Sequence, residues 1–146
     1  MASLVDVLTD STKKADVVRD CLEIIDREVD DKGGLSGMAI KAGYRAVQGI
    51  KPGFVKNVVD DLLPEFAKAI EPIYSEGKTA GKATVSHLEG SASRLADALL
   101  GITDGKAQRS KSGVVKATYD RLRPTAKKNV EQAVPRLARL VEKYAG

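Results

Sequence analysis

Cysteine and aromatic residues are scarce in this sequence. Its 146 residues include one cysteine, no tryptophan and 4% aromatic residues in total. A single cysteine, Cys21, cannot form an internal disulfide, which argues against a small secreted scaffold held by disulfides. Cys21 lies beside Leu22 and Ile25 on an apolar stripe, so we expect it to be buried and slow to react. With few aromatic side chains, the core has to be built from Val, Leu, Ile and Ala, which suits closely packed helices.

Long apolar runs are also missing. No run approaches the roughly 18 uninterrupted apolar residues of a membrane span. The first residues lack the basic region and apolar stretch of a signal peptide, so we expect a cytoplasmic protein. The hydrophobic fraction of 42% and the charged fraction of 30% are those of a folded soluble protein. The length fits one domain over residues 1–146.

Catalytic and phosphate-binding motifs are absent or incomplete. His87 is the only histidine, so no His-based metal cluster and no supported Cys/His dyad can be assembled readily. Residues 77–79 (GKT) imitate the end of a phosphate-binding loop, but the glycine required five positions earlier is Pro72. Acid–base catalysis by two carboxylates stays open, although no pair is singled out. We expect no enzymatic activity, no metal ion and no cofactor.

Alternating acidic residues near position 28 resemble part of a calcium-binding loop. Asp26, Glu28 and Asp30 have the spacing of oxygen ligands around one ion. Such a loop needs glycine at its sixth position and glutamate at its twelfth, where this chain has Asp31 and Gly37. We therefore interpret these carboxylates as a solvated helix end.

Apolar residues recur at three- and four-residue spacing along most of the chain, as amphipathic helices require. No stretch alternates with period two, so the sequence predicts an all-α fold, a bundle of six to eight helices. Ser3 and Asp6 have the spacing of a capping box, and Ser36 is expected to cap a later helix. Pro64 is expected to kink or split its helix. The first predicted helix begins at Ser3. The later ones run over about 10–31 and 36–49, from residue 51 onward, from residue 83 onward, and over about 112–122 and 124–145, the last interrupted by Pro135. A flexible linker is predicted at 75–82 and a polar loop at 103–112.

The chain matches itself with small gaps, and the shared Pro, Asn and Tyr positions are not explained by amphipathicity. The sequence predicts two tandem copies of a three-helix unit, over about 9–75 and 83–146, joined by the linker at 75–82 and related by a pseudo-twofold axis. The matched residues are Ser36 with Ser112, Lys41 with Lys116, Tyr44 with Tyr119, Pro52 with Pro124, Asn57 with Asn129, Val58 with Val130, Pro64 with Pro135, Ala67 with Ala138 and Glu71 with Glu142, with similar residues at Ile40 and Val115, at Val47 and Leu122, and a weaker match of Asp26 with Asp104.

Four short segments carry a family resemblance. Residues 33–37 (GGLSG), 50–55 (IKPGFV), 59–63 (VDDLL) and 123–128 (RPTAKK) are similar to a family of small, uncharacterised, bacterial all-helical proteins with no assigned function. The resemblance spans the whole chain. It implies a helical fold and a bacterial cytoplasmic origin, and it carries over no site residue.

Charge is distributed unevenly along the chain. Residues 1–103 hold 13 Lys and Arg against 16 Asp and Glu, whereas residues 104–146 hold 11 against 4. Arg121, Arg123, Lys127 and Lys128 surround Pro124, where a helix is predicted to begin. If they form one surface, its cations and free N–H groups would attract an anion. The alternative is a solvated helix face, partly neutralised by the acidic first half.

Three functions follow from these features. The leading hypothesis is a non-catalytic interaction or scaffold protein with a protein partner, in an oligomeric state that the sequence leaves open. The second is a polyanion-binding module for RNA, DNA or a ribosomal surface, using the basic carboxy-terminal segment. The third is a carrier of an apolar ligand in a cavity between the two repeats.

Overall fold

A computed structural model describes residues 3–146, and within that range every regular element is an α-helix. The seven helices are α1 (Leu4–Leu8), α2 (Lys14–Asp31), α3 (Gly34–Gln48), α4 (Phe54–Thr79), α5 (Thr84–Gly90), α6 (Ala92–Arg109) and α7 (Gly113–Ala145). The all-α prediction is confirmed. None of the described helices is long and apolar enough to cross a membrane.

The capping box predicted at the start of α1 is present. The Ser3 hydroxyl accepts from the Asp6 N–H at 3.0 Å, and the Asp6 carboxylate accepts from the Ser3 N–H at 3.3 Å. The N–H of Leu4 donates to Glu71 Oε2 at 2.6 Å, which ties the start of α1 to α4. A five-residue helix is too short to be stable alone. It persists because Leu4 and Leu8 are each only 2% exposed.

The start of α3 differs from the prediction. The helix begins at Gly34, and its N-cap is Gly33, three residues before the expected cap at Ser36. The chain then leaves the helical conformation after Gln48 and re-enters it at Phe54. Gly53 lies at φ +74°, a left-handed conformation that glycine adopts without strain. Gly53 is therefore the last residue of the five-residue break between α3 and α4.

Prolines interrupt the helices less than expected. Pro64 lies inside α4, so the helix is not split there, and a kink, the other expected outcome, stays a prediction. Pro124 and Pro135 lie inside α7, so the predicted helix start and interruption there are wrong. An internal proline costs about 3 kcal/mol because it removes a hydrogen bond and crowds the preceding turn. Apolar residues after Pro64 and Pro135, including Ala67 and Ala138 at 0% exposure, are buried in the core and offset that cost.

The connections are shorter than the polar composition suggested. α4 continues through Thr79, so residues 80–83 form the connection where a flexible linker over 75–82 was predicted. α6 continues through Arg109, leaving residues 110–112 in place of the loop predicted at 103–112. The single helix expected from residue 83 is instead two, α5 and α6, separated at Ser91.

One end of the bundle, the closed end, contains the main apolar core. α4 contributes residues between Leu63 and Ile73, α6 contributes Leu95 and Leu99, and α7 contributes residues between Val134 and Val141. The short helices α1 and α5 each pack against both α4 and α7. Their side chains fill this end together with two valines of α2. The fully buried side chains there are Leu4, Leu8, Val17, Val18, Leu88, Leu95, Val134 and Val141.

The other end, the open end, is formed by α3 with the first half of α4, the second half of α6 and the first half of α7. Gly37 is the one buried residue of α3. Leu35 and Met38 on the same helix are 87% and 67% exposed. α3 packs against α2, α4 and α7, but it adds no buried side chain to the core.

The two matched stretches fold differently. The first is two helices, α3 and α4, whereas the second is the single helix α7. The first contains the segment Gly49 to Gly53 with two glycines, and the second has no glycine around Pro124. The second stretch therefore stays helical through its proline. Three helices, α2 to α4, begin within residues 9–75 and three, α5 to α7, within residues 83–146, but α7 alone matches both α3 and α4, so the predicted repeat of a three-helix unit is not confirmed.

Candidate functional site

An apolar groove of about 690 Å³ lies at the open end. α3 contributes Ile40 and Val47, two turns apart on one face. α4 contributes Val55, Val58 and Leu62, which recur at the helical spacing read from the sequence. The groove exists because these stripes face each other with no side chain between them.

The opposite wall is built by α6 and α7. Ala107 comes from the last turns of α6, and Val115, Leu122, Ala126 and Val130 come from α7. The α7 residues recur every four or seven positions and therefore lie on one helical face. Polar side chains also line this wall (Thr103, Lys106, Arg109, Ser110, Thr118, Tyr119 and Asn129), but the exposed surface of the groove as a whole is mainly apolar.

A close approach of α3 and α7 marks one side of the groove. A Cβ atom on Gly43 would lie 2.9 Å from Thr118 Cγ2 and 3.2 Å from Leu122 Cδ1. Glycine at this position therefore lets the two helix backbones meet. The contact fixes α3 over the groove, and Ile40 and Val47 remain half-buried on either side of it.

The rim of the groove is positively charged. Lys51, Lys106 and Arg109 line it and are exposed, and Asp61 is the single carboxylate among the lining residues. Within residues 3–146 none of these four side chains forms a salt bridge. An ideal Cβ on Gly105 would lie 3.2 Å from Arg109 Nη1, so the guanidinium folds back along α6. The rim therefore has a net positive charge without partners in the described chain.

Four side chains of α6 and α7 form a hydrogen-bonded cluster beside the groove. Tyr119 donates to Asp104 Oδ1, and Arg123 donates to both oxygens of the same carboxylate at 2.8 and 3.2 Å. Thr103 Oγ1 lies 2.8 Å from the Tyr119 hydroxyl. The bonds from Arg123 and Tyr119 hold the pKa of Asp104 below its usual range. Burial, followed by the Asp104 carboxylate, raises the pKa of Tyr119.

The matching tyrosine in the first stretch makes a similar bond. The Tyr44 hydroxyl donates to Asp26 Oδ1 at 2.6 Å. Burial and this hydrogen bond raise the pKa of Tyr44. Tyr44 and Tyr119, and Asp26 and Asp104, are pairs that the sequence alignment already matched. The second bond has an additional cation, Arg123, which the first does not have.

The structure does not bring the four candidate anion-binding residues onto one surface. Arg123 binds Asp104, and Lys127 binds Asp97 at 3.1 Å, so both face α6. Arg121 and Lys128 are exposed and seven residues apart, which places them together on a different face of α7. No helix begins at Pro124, so the expected free N–H groups and dipole end are absent there.

Two other cations of the basic segment are also paired. Lys143 donates to Asp20 Oδ2 at 2.7 Å. Arg136 donates to Glu28 and lies 2.8 Å from Asp31 Oδ2. These contacts join the basic carboxy-terminal helix to the acidic helix α2. They agree with partial neutralisation by the first half of the chain.

The motif at residues 77–79 and the acidic residues of the chain do not form a phosphate or metal site within the described residues. Residues 77–79 are the last turn of α4, not a phosphate-binding loop. A Cβ on Gly77 would lie 2.7 Å from the His87 ring, so these two residues pack directly. Asp60 lies 3.5 Å from Lys14 Nζ. Within residues 3–146 no three His, Cys, Asp or Glu side chains converge as a metal site would require.

Cys21 is half-buried rather than fully buried and packs against the core. Burial, with a smaller effect of the neighbouring Asp20, raises the pKa of its thiol to about 11. The reactive thiolate is therefore scarce at neutral pH. The expected slow reaction follows from this pKa more than from complete inaccessibility.

A cavity between the repeats was predicted from the sequence, but the charged residues at its rim were not. Lys51 precedes α4, whereas Lys106 and Arg109 end α6, and nothing local links them. One signal was present in the self-alignment. Four matched pairs contribute both members to the groove: Ile40 with Val115, Val47 with Leu122, Asn57 with Asn129 and Val58 with Val130.

Comparison with known proteins gives a family without a function. No curated protein and no solved structure matches this chain. A family model covers residues 4–145, which include all seven helices and the whole groove. The chain belongs to this family, DUF6918, a family of unknown function.

Proposed function

We propose that this protein is a carrier that binds a small molecule with an apolar chain in the groove between α3, α4, α6 and α7. The observation that supports the proposal is an open, mainly aliphatic groove of about 690 Å³ beside an otherwise filled core. Small-molecule sites are typically clefts of roughly 300–1,000 Å³ lined by apolar residues with a few polar groups. The groove has that size and that composition.

Burial of an apolar chain supplies the binding energy. Each buried methylene group contributes about 0.8 kcal/mol, so about eight of them contribute roughly 6 kcal/mol before the cost of association. Val58 and Leu122 face the groove from opposite walls, so a bound chain would contact apolar side chains on both sides. The same contacts would remove exposed apolar surface from water.

We also propose that the chain arose by tandem duplication and that the groove lies between the copies. The four matched pairs in the groove walls support this, as do the two tyrosine–aspartate hydrogen bonds. In this view α7 corresponds to α3 and α4 joined into one helix. A ligand would then lie near the pseudo-twofold axis.

Polyanion binding has less support from the geometry. Arg123 and Lys127 already bind carboxylates of α6, so an incoming phosphate would have to compete with them. Of the four candidate residues, only Arg121 and Lys128 are without a carboxylate partner in the described chain. The protein-partner hypothesis stays a prediction.

The test is binding of phenylnaphthylamine, an uncharged dye whose fluorescence rises in apolar surroundings. Ala126 lines the groove, whereas Ala117 is exposed on the same helix outside it. We expect the wild type to bind the dye, Ala126→Phe to lose binding because the ring fills the groove, and Ala117→Phe to bind normally. Circular dichroism and thermal midpoints establish that both variants are folded.

Two results would contradict the proposal. One is the absence of dye binding to the folded wild-type protein. The other is unchanged binding in Ala126→Phe and in a second groove variant, Val58→Phe. Unchanged binding in both would locate the dye elsewhere on the molecule.

A further inference from the structure

We infer that the ligand of this groove is a single-chain amphiphile with an anionic head group, bound at the rim by Lys51, Lys106 and Arg109. The inference rests on the proposed function and deepens it by naming the chemical class of the ligand. Its basis is the combination of an apolar groove with a cationic rim.

The charged residues around the groove are mostly cations. Three exposed cations line it against one carboxylate, Asp61. A head group at the mouth would therefore meet a net positive charge. A cationic head group would be repelled, and an uncharged one would gain little from the three cations.

The rim cations are free to bind a ligand. Arg123 and Lys127, nearby in the chain, bind the carboxylates of Asp104 and Asp97. Lys106 and Arg109 have no such partner within residues 3–146, and the Arg109 guanidinium, which lies over Gly105, would turn toward the groove to reach a head group. A cation without an intramolecular partner can bind an incoming anion without first breaking an ion pair.

Two helix ends of opposite polarity lie at this rim. α6 ends at Arg109 and α7 begins at Gly113, so a negative and a positive helix end lie close together. Their partial charges, each about half an elementary charge, largely offset each other. The sign of the local field is therefore set by the lysine and arginine side chains.

Carboxylate and phosphate heads share the required chemistry. A guanidinium binds either group through paired N–H donors, and an ammonium binds either as a point charge. The two can be separated by comparing molecules that have the same chain. The test therefore uses dodecanoate, dodecyl phosphate and dodecyltrimethylammonium below their micelle concentrations, and dodecanol below its solubility limit.

The measurement is displacement of bound phenylnaphthylamine from the full-length protein. We expect the two anions to displace the dye at concentrations about tenfold lower than dodecanol does. A tenfold difference corresponds to about 1.4 kcal/mol, which is close to the lower value for a hydrogen bond to a charged group. The cationic amphiphile should be the weakest competitor. Higher salt should reduce the preference for anions, because the rim is exposed and screened.

Two double variants with equal changes in net charge assign the effect to the rim. Lys106→Gln with Arg109→Gln should reduce the preference for anions, taken as the ratio of the concentrations at which dodecanol and dodecanoate displace the dye from the same variant, to what Lys51 alone supports. Arg121→Gln with Lys128→Gln, on exposed residues of α7 outside the groove lining, should keep the full preference. Thermal midpoints establish that both proteins fold.

Equal displacement by dodecanol and dodecanoate in the wild type would overturn the anionic head group and leave the proposed apolar site intact. An equal loss of preference in both double variants would overturn the assignment to the rim, because net charge alone would explain it. Absence of dye binding is a different result, since it contradicts the proposed function itself.

Discussion

The closed and open ends of the bundle use the same three helices, α4, α6 and α7, with different results. At the closed end Leu88 and Leu95 are each 1% exposed, and the short helices α1 and α5 fill the space between longer ones. At the open end α3 takes their place, and Ile40 and Val47 stay half-buried beside a groove. Amphipathic stripes alone therefore do not close a core; a neighbouring element has to supply enough side-chain volume.

The composition of α3 explains the difference. Ala39, Ala42, Gly43 and Ala46 are small, and the contact of Gly43 with Thr118 and Leu122 depends on that smallness. Small side chains let helices approach, but they fill little space. α1 and α5, by contrast, insert Leu4, Leu8 and Leu88. Since interiors are otherwise close-packed, the missing volume at the open end remains as a groove.

The largest expected effect compares one leucine from each end. Leu95→Ala should destabilise the protein by about 2–5 kcal/mol, because a buried side chain is lost and a cavity remains. Leu122→Ala should cost clearly less, because Leu122 is half-buried and already faces the groove. Urea denaturation measures both free energies of unfolding. Equal costs would mean that the groove wall is packed as tightly as the core.

A second comparison uses two glycines in long helices. Gly77→Ala should destabilise by about 1–3 kcal/mol, because the new methyl group would collide with the His87 ring at the closed end. Gly101→Ala should stabilise by up to about 1 kcal/mol, because no atom lies within 4 Å of its Cβ position and alanine favours helix. Thermal unfolding provides the measurement. A stabilised Gly77→Ala protein would show that α5 can shift away from α4.

The two tyrosines test whether the matched stretches are equivalent. Tyr44→Phe and Tyr119→Phe each remove one hydrogen bond to an aspartate, which should cost about 0.5–1.5 kcal/mol. Tyr119→Phe should cost somewhat more, because it also removes the contact with Thr103 Oγ1. Urea denaturation of the two variants gives the comparison. A cost confined to one tyrosine would argue that the two environments differ in spite of the matched residues.

The smallest expected effect is the contribution of Asp104 to the pH dependence of stability. Its pKa is depressed in the folded protein by Arg123 and Tyr119, so the ionised form stabilises the fold. That contribution is present above the unfolded pKa of about 3.9 and is lost as pH falls through the lower folded pKa. Thermal midpoints from about pH 6 to pH 3 should therefore fall less steeply for Asp104→Asn than for the wild type.

The exposed Asp30 supplies the control for this measurement. Asp30→Asn also removes a surface carboxylate, but Asp30 has no hydrogen-bond or salt-bridge partner within residues 3–146. A slope in Asp104→Asn identical to the wild type would mean that Arg123 and Tyr119 do not stabilise the ionised carboxylate.

Local signals were sufficient for part of the fold. The capping box at Ser3 and the end of α2 at Asp31 were correct, because both depend on residues within a few positions of the boundary. Where distant packing competes with local preference, the predictions were wrong. Pro124 stays inside a helix, and residues 75–79 are helical although their composition is that of a linker. Burial of Ile73 and Gly77 against other elements stabilises that last part of α4.

The sequence by itself determined the helical class, the apolar stripes and the unequal charge of the two halves, since each depends on residue type and spacing along one segment. Only the tertiary structure decided which stripes close into a core and which leave a groove, because that depends on the volume contributed by elements far apart in the chain. It also decided that Arg123 and Lys127 are paired whereas Lys51, Lys106 and Arg109 share one rim. Pairing depends on distances through space, and spacing along the chain does not fix those distances.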